Sequence, residues 1–164
     1  MDDYALAHFC YNFSIKRKEY RVAPIDDVMT RKEARETVFG LIFETEFRTE
    51  ETAQAIYETS VENREIPENE YIKNAFFTVC EKREEIDAII GEHAKGWKTH
   101  RLTNVSRSIL RLGVYEMLYD DSIPYSVSIN EAVELSKKFD DEKAKAFING
   151  VLNSVKSALE EKAN

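Results

Sequence analysis

From residue 30 onward, apolar positions recur every three to four residues, the spacing of one helix face. Thr30-Arg31-Lys32-Glu33 has the form of a capping box, with Thr30 as N-cap and Glu33 reaching back to its amide. Behind it, Ala34, Val38, Leu41, Ile42 and Thr45 fall on one face, widened by Phe39, Phe43 and Phe47, which predicts a helix to about Phe47. Thr49 or Thr52 can cap a second helix carrying Ala53, Ile56, Tyr57 and Val61. It ends before Pro67, because the residue preceding proline avoids helical angles. From Glu68 one long amphipathic run carries Tyr71, Ile72, Ala75, Phe76, Val79, Ile86, Ile89 and Ile90. Residues 91–100 read as a connection, with Gly96 as a breaker and Trp97 packed on the core.

The second half is more strongly patterned. Asn104 opens an apolar helix through Val105, Ile109, Leu110, Leu112, Val114, Met117 and Leu118, which Asp120-Asp121-Ser122-Ile123-Pro124 terminates. A further helix runs from about Ser128 to Phe139, with Ile129, Ala132, Val133 and Leu135 inward. After a turn at Asp140-Asp141, a final helix carries Ala144, Phe147, Ile148, Val151, Leu152, Val155 and Leu159. No segment alternates with period two, so the expectation is an all-α helical bundle.

Residues 1–28 lack a sustained helical period and read as an N-terminal extension, flexible or non-native, ahead of a domain spanning residues 29–164. The extension either adds basic charge through Lys16, Arg17, Lys18 and Arg21, or it precedes a natural start at Met29. Five Gly and three Pro in 164 residues favour long uninterrupted elements. A domain of this size buries roughly 70% of its unfolded surface and needs no staples. Cys10 and Cys80 lack metal-ligand spacing and read as reduced thiols. With no apolar run near the ~20 residues of a membrane span and no signal-peptide pattern, the expectation is a cytoplasmic protein without membrane association.

The formal net charge of -8 disfavours sequence-blind nucleic-acid binding, which rests on many cation–phosphate contacts. An RNA ligand would require locally concentrated cations and would gain from a basic partner protein. The sequence holds no phosphate-binding glycine loop, dinucleotide fingerprint or nucleophile elbow. His8, His93 and His100 lack ligand spacing, and Glu84-Glu85 and Glu160-Glu161 read as solvated helix charges. The expectation is a protein with no catalytic residues, no metal and no cofactor.

Three blocks carry a family resemblance. They are Ser106-Arg107-Ser108-Ile109-Leu110-Arg111-Leu112-Gly113-Val114-Tyr115-Glu116-Met117-Leu118, then residues 123–139 with Ile123-Pro124 and Ile129-Asn130-Glu131-Ala132-Val133-Glu134-Leu135, then Lys145-Ala146-Phe147-Ile148-Asn149-Gly150-Val151-Leu152. Their order and spacing resemble the NusB family of transcription antitermination factors, and Thr30 to Glu36 is similar to the family's basic first-helix start. The resemblance implies a bundle of about six to seven helices in two packed subdomains. It also implies binding of the boxA element of ribosomal RNA leader transcripts, with the small-subunit ribosomal protein NusE, in the RNA polymerase antitermination complex. The same fold occurs as an N-terminal domain of ribosomal RNA cytosine methyltransferases. Those need a following cofactor domain, so autonomous methyl transfer is not expected. A homodimer is left open, since some relatives dimerise. An alternative reading is a protein-binding adaptor that recruits a basic ribosomal protein with little RNA recognition of its own.

The resemblance assigns RNA contact to Arg31, Lys32, Arg35, Lys143, Lys145 and Phe147, and NusE contact to Phe43, Ser106 and Arg107. Arg31 and Arg35 share a helix face, free amides at a helix N-terminus attract phosphate, and an exposed Phe147 would stack on a base. Read without the family, the three cations describe a solvated first turn that opposes the helix dipole, and Phe147 falls in an apolar stripe. Asn130, Glu131 and Asn149 read as caps or hydrogen-bond partners. Glu33 among the cations, Ser106 and Phe43 where relatives often carry Glu and Tyr, and Asp140 in place of a common Gly depart from the family pattern.

Overall fold

The computed structural model describes residues 29–94 and 102–163, and among them there are seven α-helices and no strand. The helices are α1 (Arg31–Glu44), α2 (Ala53–Arg64), α3 (Glu70–Glu81), α4 (Arg83–His93), α5 (Asn104–Tyr119), α6 (Tyr125–Phe139) and α7 (Glu142–Ala163). The extension at residues 1–28, and Gly96, Trp97 and His100, lie outside the described residues.

Helix starts follow local chemistry. Thr30 Oγ1 accepts from the Glu33 amide at 3.2 Å while Glu33 Oε2 accepts from the Thr30 amide at 2.8 Å, the reciprocal capping box. Thr52, Asn69 and Thr103 each accept from an amide three residues on, satisfying one orphan donor of α2, α3 and α5. Helix α2 stops at Glu65, whose left-handed φ of 51° turns the chain ahead of Pro67.

Three expectations change. The run from Glu68 to Ile90 is two helices that share Lys82 as C-cap of α3 and N-cap of α4. The apolar stripe has a gap at Lys82 and Arg83, and Arg83 instead reaches back to Thr45 and Glu46 after α1, so the chain bends where no side chain anchors it inward. Helix α4 also continues through Gly91 to His93, and α6 begins at Tyr125 with Pro124 as N-cap, three residues before the expected start.

Helix α5 is the central element, packing against α1, α3, α4, α6 and α7. Helices α1 to α3 form one packed group and α4 to α7 the other, with α5 joining the two. Gly113 lets α5 and α7 approach closely: a Cβ there would lie 2.9 Å from Leu152 Cδ1. Phe39, Leu41, Ile42, Phe76, Ile109, Leu110, Ile148 and Leu152 are fully buried and form one continuous core across both groups.

Candidate nucleic-acid interface

The starts of α1 and α7 bring cations to the flank of α6. Arg31 and Lys32 occupy the first two positions of α1 and are exposed; Lys143 and Lys145, in the first turn of α7, are exposed and half-buried. Cations at a helix start oppose the macrodipole, and Glu33 within the same turn offsets part of that cost. Asp141 Oδ1 accepts from the Ala144 amide at 2.8 Å and fixes the entry to α7.

Glu134 on α6 links the two starts electrostatically. The hydrogen bond and charge of Lys137 hold its carboxyl below the usual range, and Lys32 and Lys145 add to the effect from α1 and α7. A shallow groove runs between α1 and α6, lined by Lys32, Arg35, Glu36, Glu131, Glu134 and Leu135. On its rim Lys138 Nζ bonds Glu36 Oε2 at 2.6 Å, so Lys138 is held by a carboxylate. By contrast, Arg31, Lys32, Lys143 and Lys145 form no ion pair with a described residue.

Two residues expected at this surface lie inside it. Arg35 is 6% exposed; its Nε donates to Glu116 Oε1 at 2.7 Å, and Nη1 lies 3.6 Å from Glu131 Oε2. Glu116, 2% exposed, also accepts from Tyr71 Oη at 2.5 Å. Burial and the Glu116 charge push the Tyr71 hydroxyl far above its ordinary pKa, and Tyr115, on the same turn of α5 as Glu116, is pushed up to about 12 by burial, Asp120 and Glu116. Phe147 is 6% exposed and belongs to the core, as the α7 stripe requires. The start of α1 is also less open than expected, because the capping box occupies the Thr30 and Glu33 amides.

The residues expected to meet a partner protein divide in the same way. Phe43 is 5% exposed, between Phe39 at 6.2 Å and Phe47 at 5.0 Å centroid separation. Ser106 is 4% exposed; its amide donates to Thr103 Oγ1 at 3.0 Å and its hydroxyl to Asp140 Oδ2 at 2.5 Å. Only Arg107 reaches solvent substantially, with its side chain 31% exposed and Nη1 2.8 Å from Glu46 Oε2. Glu46 also binds Arg111, which donates from Nε to Asp87 Oδ1 at 2.7 Å. Sequence reasoning missed the roles of Tyr71, Glu116, Glu134, Glu46 and Asp140. Asp140 alone had a local signal, as the turn residue after α6.

Asn149 is exposed and accepts from Asn153 Nδ2 along α7, while Asn130 is exposed on α6. Among the described residues, no group of three or more His, Cys, Asp or Glu is placed to hold a metal ion. Cys80 is half-buried, with its thiol pushed up by burial; Cys10 lies outside the described residues. His93 Nδ1 lies 2.8 Å from Ser154 Oγ on α7, a contact between helices. No described helix is long and apolar enough to cross a membrane.

Residues 32–157 match the model of the NusB family. The chain is 43% identical over 129 residues to the transcription antitermination protein NusB of Ruminiclostridium cellulolyticum, covering 77% of this chain and 88% of that one. To the protein of the same name from Bacillus subtilis it is 39% identical over 133 residues, covering 81% and 99%. Among solved structures, the crystal structure of antitermination factors NusB and NusE in complex with double-stranded RNA aligns with a TM-score of 0.70 at 36% identity, covering 78% of this chain and 96% of the matched one. T. maritima NusB aligns with a TM-score of 0.66 at 32% identity, covering 76% and 89%.

Proposed function

We propose that this chain, which belongs to the NusB family, is a transcription antitermination factor that binds boxA-type RNA of ribosomal RNA leader transcripts together with NusE. In this reading it is a non-catalytic component of the RNA polymerase antitermination complex, works in the cytoplasm, and binds through residues 29–164. The observation that carries it is the meeting of α1 and α7 cations beside α6, with Lys32 and Lys145 both acting on Glu134, in a chain of net charge -8. Arg31, Lys32, Lys143 and Lys145 form the RNA surface. Arg35 supports it from beneath, bonded to Glu116, and Phe147 supports it as core. Four local cations against an overall negative charge give modest affinity for RNA alone, and a basic partner raises it. NusE docks beside Arg107, while Phe43 and Ser106 shape that surface from within.

The test removes charge without touching the core. Lys32→Ala and Lys143→Ala each weaken RNA binding by the full chain, and each lowers the slope of log affinity against log salt by about 0.7, the value for one single-strand phosphate contact. The adaptor reading has one supporting observation: with Arg35 and Phe147 inside, fewer groups face RNA than the family pattern implies. It requires that both variants bind RNA as the parent does once NusE is present.

A further inference from the structure

Single-stranded RNA is commonly held by base stacking on aromatic rings as well as by cations on phosphate. Among the described residues, this surface offers no exposed ring. Phe147 is in the core, and Phe139 packs at 4.9 Å on Phe39 with Lys138 Nζ 5.2 Å above its face. Among the described residues the only exposed large hydrophobic side chain is Val127, which has no π-face. A planar guanidinium is the other protein group on which bases stack.

We propose that Arg31 presents its guanidinium as a stacking surface for one RNA base, with Tyr71 behind it as the positioning residue. The Arg31 guanidinium carbon lies over the Tyr71 ring, 4.3 Å from its centroid. Tyr71 is 7% exposed and anchored by its 2.5 Å hydrogen bond to Glu116, so the ring is a fixed support rather than a mobile one. Donation of the hydroxyl proton toward a buried carboxylate enriches the ring's π-face and strengthens its attraction for the cation. Arg31 stands at the first position of α1, where positive charge is unfavourable to the helix, and it forms no ion pair with a described residue. Its geometry therefore answers to the ring beneath and to whatever lies above. Arginine and lysine are not equivalent in such a place, because only arginine offers a plane. Lys32, Lys143 and Lys145 remain as point charges for phosphate.

The inference rests on the RNA-binding reading, and its experiment separates the two. Full-length parent, Arg31→Lys, Arg31→Ala, Tyr71→Phe and Tyr71→Leu are titrated with boxA RNA and with versions carrying one abasic nucleotide at each position in turn. At one position, loss of the base weakens the parent by about tenfold, in keeping with one stacked base. At that position Arg31→Lys, Arg31→Ala and Tyr71→Leu lose nothing further, while Tyr71→Phe, which keeps the ring but not its hydrogen bond to Glu116, retains a smaller penalty than the parent. A merely structural role for Tyr71 would weaken all RNAs equally and leave that position's penalty intact. Arg31→Lys lies on the surface and decides the matter even where Tyr71→Leu fails to fold. If Arg31→Lys shows the parent's full abasic profile, Arg31 is a phosphate contact and the inference falls while RNA binding stands. Absence of salt-sensitive RNA binding by the parent overturns both.

Discussion

Arg35 on α1 donates from Nε to Glu116 on α5 across 2.7 Å and 81 residues of sequence, and both side chains are closed off from water. Glu116 then accepts from Tyr71 on α3, and Glu131 on α6 approaches the outer nitrogen of Arg35. One buried pair thus ties together four helices directly beneath the cationic surface. Replacing one partner of such a pair strands the other charge without water, and this costs more than the intact pair contributes.

Arg35→Ala should therefore destabilise the fold by about 3 kcal/mol, measured by urea unfolding with an unchanged m-value. Its loss of RNA binding should follow the unfolded fraction. A variant that is fully stable yet defective in RNA binding would show that Arg35 contacts RNA itself.

Alkaline pH tests the same cluster. Tyr71 and Tyr115 have folded pKa values raised above the ordinary 10, Tyr115 to about 12. A raised folded pKa gives stability that is whole below the unfolded value and is lost as pH rises through the folded one. Stability should hold to about pH 10 and fall steadily above it. Absorbance at 295 nm should show Tyr71 and Tyr115 ionising only as the helical signal collapses, with Tyr57 and Tyr119 also above their ordinary range, and ionisation of all eight near pH 10 in a folded protein would exclude the buried arrangement.

Glu134 gives the opposite sign. Lys137, Lys32 and Lys145 lower its folded pKa, so its favourable interactions are present above the ordinary carboxylate range and vanish as pH falls through the lowered value. Carbon-13 titration should place Glu134 below 4.5, with Lys137→Ala moving it up more than Lys32→Ala or Lys145→Ala. An unmoved titration in Lys32→Ala and Lys145→Ala would mean that α1 and α7 do not converge on α6.

Phe147→Leu should lower stability by about 1 kcal/mol through imperfect refilling of the core, and leave RNA affinity per folded molecule within about twofold. A tenfold loss of RNA binding with unchanged stability would return Phe147 to the interface.

The fold was legible wherever the signal was local. The Thr30 to Glu33 box, the stripes of α5 and α7, and the stop at Asp120 to Pro124 each depend on residues a few positions apart. The α7 stripe by itself already put Phe147 inward, and only the family resemblance pointed it outward. Arg35 also had a local sign. It precedes Val38 by three positions and Ile42 by seven, on the inner face of α1, but a cation there can be buried only with an anion that sequence spacing does not reveal. Glu116 and Tyr71 are distant along the chain, as is Glu46 from Arg107 and Arg111. Such ion pairs come from packing, so the buried half of the cationic site emerged only with the fold.

The most direct test of the central claim is a titration of labelled boxA RNA with the full chain, with and without NusE, at two salt concentrations. The expected result is salt-sensitive binding that tightens with NusE and weakens when Lys32 and Lys143 are replaced by alanine. Failure to bind RNA under any of these conditions, while NusE itself binds, would contradict RNA recognition and leave a protein adaptor.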